Sequence, residues 1–219
     1  MKAIQIAIDG PAGAGKSTIA KRIAKALNYT YIDTGAMYRA LTLETLRREI
    51  PLEDSEAIIA LAEEVQIQFI NGQIILNEEN VSEAVRENRV NQSVSHVAQI
   101  PQVRRILVAM QQKIAANHNV VMDGRDIGTY VLPDAILKVF LTASLEERAK
   151  RRYKEHLMNP GVSLEDIKQQ ILLRDQMDSQ RSTAPLTQAQ DAFRVDTTGR
   201  SIEEVVQEII SLLNQVLQK

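Results

Sequence analysis

Ile8-Asp-Gly10-Pro-Ala-Gly13-Ala-Gly15-Lys16-Ser17 fits the pattern G-x-x-x-x-G-K-[ST] at every fixed position from Gly10 to Ser17. The apolar run Ala3–Ile8 before it reads as a buried strand, and a helical pattern from about Lys16 to Leu27 follows. Strand, glycine-rich turn and helix together make a phosphate loop: glycines let backbone amides curl around a phosphate without Cβ clashes, and the helix N-terminus adds partial positive charge. Lys16 can reach β- and γ-phosphate oxygens, and the Ser17 hydroxyl can ligate Mg²⁺. The expected ligand is a nucleoside triphosphate, held by Gly10, Pro11, Ala12, Gly13, Ala14, Gly15, Lys16, Ser17 and Thr18. A dinucleotide fingerprint is excluded, because Gly13-Ala-Gly15-Lys-Ser-Thr18 lacks the third glycine of G-x-G-x-x-G.

Outward from the loop, short apolar runs alternate with helical segments, the pattern of an α/β fold whose parallel sheet is flanked by helices. Tyr29–Ile32 reads as a second strand and Met37–Glu49 as a helix. Val120–Met122 and Ile136–Leu141 read as strands covered on both faces, and Phe193–Asp196 as a last short strand before an amphipathic helix. Three helix starts carry capping-box spacing: Ser144 with Glu147, Ser163 with Asp166, and Ser201 with Glu204. The stretch from Pro51 to Gln99 breaks the rhythm. Val65, Ile67 and Phe69 alternate with glutamines, Asn71-Gly72 follows, and Ile74–Leu76 comes next, which is a hairpin signal. A small inserted sub-domain is the expectation, with an irregular edge of the main sheet as the alternative.

Composition narrows the chemistry. The 219 residues suit one sizeable domain, and the absence of cysteine removes disulfides, a thiolate nucleophile and Cys-ligated metals. A net charge of −2 argues against a nucleic-acid surface. No apolar run approaches the roughly 18–20 residues of a membrane helix, and Met1–Gly10 lacks the apolar core and cleavage site of a secretory signal, so a cytoplasmic protein is expected. No N-K-x-D occurs to read guanine, and Asp196-Thr-Thr-Gly199 matches D-x-x-G but reads as a strand-to-helix turn leading to the Ser201 cap. Asp123, after Val120–Met122, could serve as a Walker-B acid, though no Glu follows it. A compact phosphotransferase fits better than a GTPase switch or a mechanical ATPase.

His96, His118 and His156 sit in unremarkable segments and read as surface or packing residues. For a hydroxyl acceptor, Asp33, Asp123 and Asp126 are the available bases. An anionic phosphate acceptor needs no base; it needs cations that hold two mutually repelling anions in line. Arginine outnumbers lysine, 16 to 10, and suits that task with its planar fork. Arg125 lies in a turn directly after a buried strand, where open α/β sheets bind ligands. Arg148, Arg151 and Arg152 share a helix face, and Arg174 and Arg181 sit two helical turns apart with Asp178 between them. Beside a phosphate loop these read as a clamp; the competing reading is ordinary surface pairing with Glu147, Glu155 and Asp178.

Five segments carry a more specific resemblance: Ile8–Ser17, Asp33-Thr-Gly-Ala-Met-Tyr-Arg39, Asp123-Gly-Arg-Asp-Ile-Gly-Thr129, Arg174-Asp-Gln-Met-Asp-Ser-Gln-Arg181 and Ala184-Pro-Leu186. In order and across nearly the full length, the chain resembles the bacterial cytidylate kinases, among the nucleoside monophosphate kinases. The resemblance implies a P-loop three-layer fold in one domain: a core of residues 1–50 and 101–219, a monophosphate-binding insertion with a β-hairpin at about 51–100, and a helical lid at about 148–162. It implies transfer of the γ-phosphoryl of ATP to CMP or dCMP with Mg²⁺, by a monomer with no nucleic-acid or membrane partner. Lys16, Arg39, Arg125, Arg148 and Arg152 would be catalytic, and Arg151 would join the ATP site. Arg39 and Arg125, helped by Arg174, would hold the acceptor phosphate. Ser95, Arg104 and Asp126 would read the cytosine edge, Arg105 being able to exchange with Arg104. Asp178 and Arg181 would contact the sugar, and Thr34 and Tyr38 would line the same pocket.

Overall fold

The computed structural model of the chain describes residues 3–70, 72–155 and 163–218. Along the chain run β1 (Gln5–Asp9), α1 (Lys16–Leu27), β2 (Thr30–Asp33), α2 (Thr34–Arg47), α3 (Ser55–Glu64), β3 (Ile67–Ile70), β4 (Gln73–Leu76) and β5 (Glu79–Asn80). There follow α4 (Asn88–Gln99), α5 (Pro101–Ala115), β6 (Val120–Gly124), β7 (Leu137–Thr142), α6 (Leu145–Glu155), α7 (Leu164–Gln180), β8 (Phe193–Asp196) and α8 (Ile202–Leu217). They pack as two compact units, Met1–Tyr31 with His118–Lys219, and Ile32–Asn117.

The first unit is built on a five-stranded parallel sheet of order β2-β6-β1-β7-β8. In β1, Ile6, Ala7 and Ile8 are all fully buried, as a central strand covered on both faces requires. Its register sets Ile8 beside Asp123 of β6 and Val139 of β7, so the three strands end together at the phosphate loop. Ile19, Ala20, Ile23 and Ala24 form the buried stripe of α1, and Val205, Val206, Ile209 and Leu213 that of α8. Both stripes join the sheet's apolar cluster, each buried aliphatic side chain contributing about 1.5–3 kcal/mol. Asn28, in left-handed conformation at φ 55°, closes α1. The Ser163 and Ser201 capping boxes form in full. At Ser144 only half forms: its Oγ accepts from the Glu147 amide at 3.2 Å, while the Glu147 carboxylate turns to Arg151. Helices α6 and α7 meet through Ala149, Ile167 and Ile171; the remainder of the expected lid, 156–162, and with it His156, lies outside the described residues.

The second unit has its own apolar cluster, drawn from α2, α3, the β3–β4 hairpin, α4 and α5. Helix α2 begins three residues earlier than the apolar pattern indicates, because Asp33 Oδ1 accepts from the Ala36 amide at 2.8 Å and caps it. Strands β3 and β4 pair antiparallel from Ile67↔Leu76 to Ile70↔Gln73, with Gly72 at φ 76° in the turn; Asn71 lies outside the described residues. Ile67, Ile74 and Leu76 point to the cluster while Gln68 and Gln73 face solvent. Among the described residues no helix is long and apolar enough to cross a membrane.

Candidate active site

The phosphate loop connects β1 to α1 in a backbone conformation that demands glycine. Gly10 has φ 146°, and a Cβ there would lie 2.1 Å from the Leu141 carbonyl oxygen; Gly15, at φ 88°, is the N-cap of α1. No side chain caps that helix, which leaves its first amides directed at the loop. The Lys16 ammonium is buried and donates to the Pro11 carbonyl at 2.8 Å. Burial, reinforced by the Arg125 charge, pulls Lys16 down to about 7, against the opposing pull of Asp123 and Asp178. A polyphosphate in the loop would add negative charge beside this ammonium and favour its charged form. Ser17 Oγ donates to Asp123 Oδ2 at 2.8 Å, and the Tyr31 hydroxyl donates to the other carboxylate oxygen at 2.7 Å.

At the end of β1, Asp9 accepts from the amides of Ile127 and Gly128 at 2.7 and 2.8 Å, so the strand that launches the phosphate loop also holds the turn after β6. Burial drives this carboxyl up to about 6; the two amides oppose the shift and Asp126 adds to it. That turn carries Arg125, whose Nε donates to Asp178 Oδ2 of α7 at 2.7 Å, and Asp126, paired with Arg181 at 3.3 Å. Burial alone would raise the Asp178 carboxyl, but Arg125, Arg174 and Arg181 outweigh it and hold it below the ordinary carboxylate value. On α6, the buried Arg148 donates to Ala12 O at 3.1 Å and Asp175 Oδ2 at 2.5 Å. Arg151 and Arg152 line a cavity of about 390 Å³ with Gly13–Ile19, Thr197 and Arg200. The first unit thus brings together Gly10–Thr18, Arg125, Asp126, Arg148, Arg151, Arg152, Arg174, Asp178 and Arg181.

The second unit holds the rest of the expected set. Thr34 and Tyr38 are buried in α2, and Arg39 is paired with the capping Asp33 at 3.0 Å. Arg104 is buried, its guanidinium 5.4 Å from the Tyr38 ring centroid and donating to Ala98 O at 3.3 Å. Arg105 is exposed and bonded to Gln102, which sets the two neighbours apart: the buried one faces Tyr38. Ser95 is half-buried on α4.

The cytidylate kinase family model matches residues 6–215. The chain belongs to the cytidylate kinase family. It is 56% identical over 218 residues to the cytidylate kinase of Alkaliphilus oremlandii (strain OhILAs), covering 99% of this chain and 100% of the relative. It is 55% identical over 212 residues to the cytidylate kinase of Alkaliphilus metalliredigens (strain QYMF), covering 96% of each. The solved shikimate kinase from Bacteroides thetaiotaomicron shares the fold at TM-score 0.50 and 18% identity, over 96% of this chain and 98% of that one. As a member of the cytidylate kinase family the protein is a phosphotransferase.

Among the described residues no group of three or more His, Asp or Glu side chains gathers to cage a metal. The Ser17 hydroxyl and Asp123 carboxylate, in contact at the phosphate loop, instead offer few oxygens of the hard kind. That donor set suits Mg²⁺, which keeps several waters and completes its shell with substrate phosphates. In this member of the cytidylate kinase family, three further residues enter the network without having been singled out in the sequence: Asp9, Asp175 and Thr197. Asp9 had a local signal, an acid at the last position of a buried strand; Asp175 and Thr197 act on partners remote in sequence.

Proposed function

We propose that the protein transfers the γ-phosphoryl group of ATP, with Mg²⁺, to CMP and dCMP. The observation that carries this reading is the buried Lys16 and the half-buried Arg125 at the ends of β1 and β6, beside a phosphate loop in a chain of the cytidylate kinase family. The loop amides from Gly10 to Thr18 and Lys16 hold the donor's phosphates, with Arg151 in the same cavity. Ser17 and Asp123 would hold Mg²⁺, which when bound screens the negative charge between the phosphates. Arg148, already bonded to the loop at Ala12 O, and Arg152 act as donor-side cations of the proposed lid.

Arg125 and Arg39, with Arg174, hold the acceptor nucleotide's phosphate; Asp178 and Arg181 contact the sugar; Ser95, Arg104 and Asp126 read the base; Thr34 and Tyr38 line its pocket. An acceptor phosphate oxygen attacks the γ-phosphorus in line, the bond to the β–γ bridging oxygen breaks, and ADP leaves with the electron pair. The attacking oxygen is already ionised, so the protein supplies position and positive charge and no base. Cytosine offers the N4 amine to Asp126 and N3 or O2 to Arg104. Uracil reverses the pattern at positions 3 and 4 and leaves those groups unpaired, at about 1–3 kcal/mol each.

Residues of about 51–100 serve as the monophosphate-binding insertion of a single kinase domain whose core is 1–50 and 101–219. We infer a cytoplasmic monomer acting on free nucleotides; a net charge of −2 gives it no broad basic surface for a nucleic acid. Steady-state assay of ATP with CMP, dCMP, UMP, AMP and GMP tests the reading: kcat/KM is expected to be highest for the cytidine nucleotides. AMP or GMP outperforming CMP would overturn it.

A further inference from the structure

The turn Asp196-Thr-Thr-Gly199, which the sequence marks only as a link between β8 and the Ser201 cap, contains a side chain with no part in capping. Thr197 is 3% exposed. Its amide donates to Thr142 O at 2.8 Å, tying the end of β8 to that of β7. Its hydroxyl lies 3.2 Å from Ala14 O in the phosphate loop and 3.1 Å from Thr142 O. The single hydroxyl proton goes to one of these carbonyls, and either choice leaves a lone pair for a donor. That donor is Arg151 Nη1, at 2.9 Å, while Arg151 Nη2 donates to the Thr197 carbonyl at 2.7 Å.

The third guanidinium nitrogen, Nε, donates to Glu147 Oε1 at 2.9 Å, so every nitrogen of Arg151 is directed. Nη1 stands 3.5 Å from where a Cβ on Gly15 would lie, which puts the cation against the phosphate loop. Arg151, Thr197 and the loop line the same cavity. A free arginine side chain samples many rotamers and loses them on binding; one already fixed by a forked contact does not incur that cost again.

We propose that Thr197 is a positioning residue for the donor nucleotide, holding the Arg151 guanidinium over the phosphate loop before the triphosphate arrives. The inference rests on the donor site proposed above. The hydroxyl carries the effect: valine keeps the branched shape but can neither bond the Ala14 carbonyl nor accept from Arg151, whereas serine keeps both bonds.

The test is the Kd of MgATP by calorimetry without acceptor, for the wild type, T197V, T197S, R151A and the R151A/T197V double variant. T197V is expected to weaken ATP about tenfold and T197S by no more than about twofold. In the R151A background T197V is expected to add nothing, which a merely structural role would not reproduce. Wild-type ATP affinity in T197V, equal loss in T197S and T197V, or an undiminished T197V effect in R151A overturns the proposal. T197A carries the same expectations should T197V not fold. Because the affinity is read without acceptor, a failure of CMP turnover counts only against the acceptor assignment; a wild type that does not bind ATP overturns both.

Discussion

Arginine–carboxylate pairs on the surface of the second unit and those at the strand ends of the first serve different ends, and the second unit's withdrawn Arg39–Asp33 pair belongs with the latter. In the second unit, Arg47 pairs with Glu79 and Arg48 with Glu44 and Glu64 on the surface, the side chains of Arg48 and Glu64 being 38% and 61% exposed. In the first, Arg125–Asp178, Arg148–Asp175 and Arg181–Asp126 are withdrawn from water, the last pair at 5% and 7%. Exposed pairs are screened and contribute little to stability. Buried ones cost several kcal/mol per ion in desolvation, which their mutual attraction repays only in good geometry. A chain optimised for stability alone would not concentrate its buried charges at the carboxyl ends of β1 and β6. Their concentration there fits the proposed site, which would present cations to phosphate in a dry setting.

The largest effect is expected at the buried lysine of the phosphate loop. Lys16→Ala should lower kcat by about a thousandfold or more, since the stabilisation of transferring phosphoryl oxygens is lost in a water-poor site, with little change in Tm. Single-turnover kinetics with CMP checks it; a loss of less than tenfold would place Lys16 with the surface charges of the second unit.

Asp9 sharpens the contrast through pH. Its folded carboxyl titrates at about 6 against an ordinary 3.8, so between those values the folded protein holds a proton that the unfolded chain has released. Its contribution to stability therefore falls as pH rises through that window, by about 3 kcal/mol in all. The stability of the wild type minus that of Asp9→Asn is expected to fall from pH 4 to pH 6 and then level off, as measured by urea unfolding. A difference independent of pH would show that burial does not govern this group.

Next comes selectivity. Asp126→Ala should reduce the preference for CMP over UMP by about ten- to a hundredfold in kcat/KM, through the lost acceptor for N4; unchanged selectivity would remove Asp126 from the base site. The smallest effect is expected at the surface: Arg48→Ala should move Tm by less than about 2 °C and leave kcat unaltered.

What the sequence made legible was local. The phosphate loop, β1, α1 and the Ser163 and Ser201 caps rest on contacts within a few residues, and the hairpin follows from alternation around Gly72. The start of α2 was misjudged because the capping of Ala36 by Asp33 precedes the apolar pattern. Of the charge network only the local Arg151–Glu147 pair was legible. Asp178, four residues from Arg174 and thus a natural helix-surface partner, instead bonds Arg125 from 53 residues away. Asp9 meets Ile127 across 118 residues, and Arg151 meets Thr197 across 46. Parallel strands bring such partners together, and no spacing rule along the chain can report it.

The central claim is that the buried cations of the first unit serve phosphate and not the fold. It is tested most directly by replacing a whole pair, Arg125→Met with Asp178→Leu, and measuring Tm and kcat/KM for CMP on the same protein. Removing one cation together with one carboxylate leaves the net charge around Arg174, Arg181 and Lys16 unchanged, so Tm is expected to hold or rise while kcat/KM falls by about a thousandfold or more. A double variant that melts far below the wild type yet still phosphorylates CMP at a comparable rate would contradict the claim.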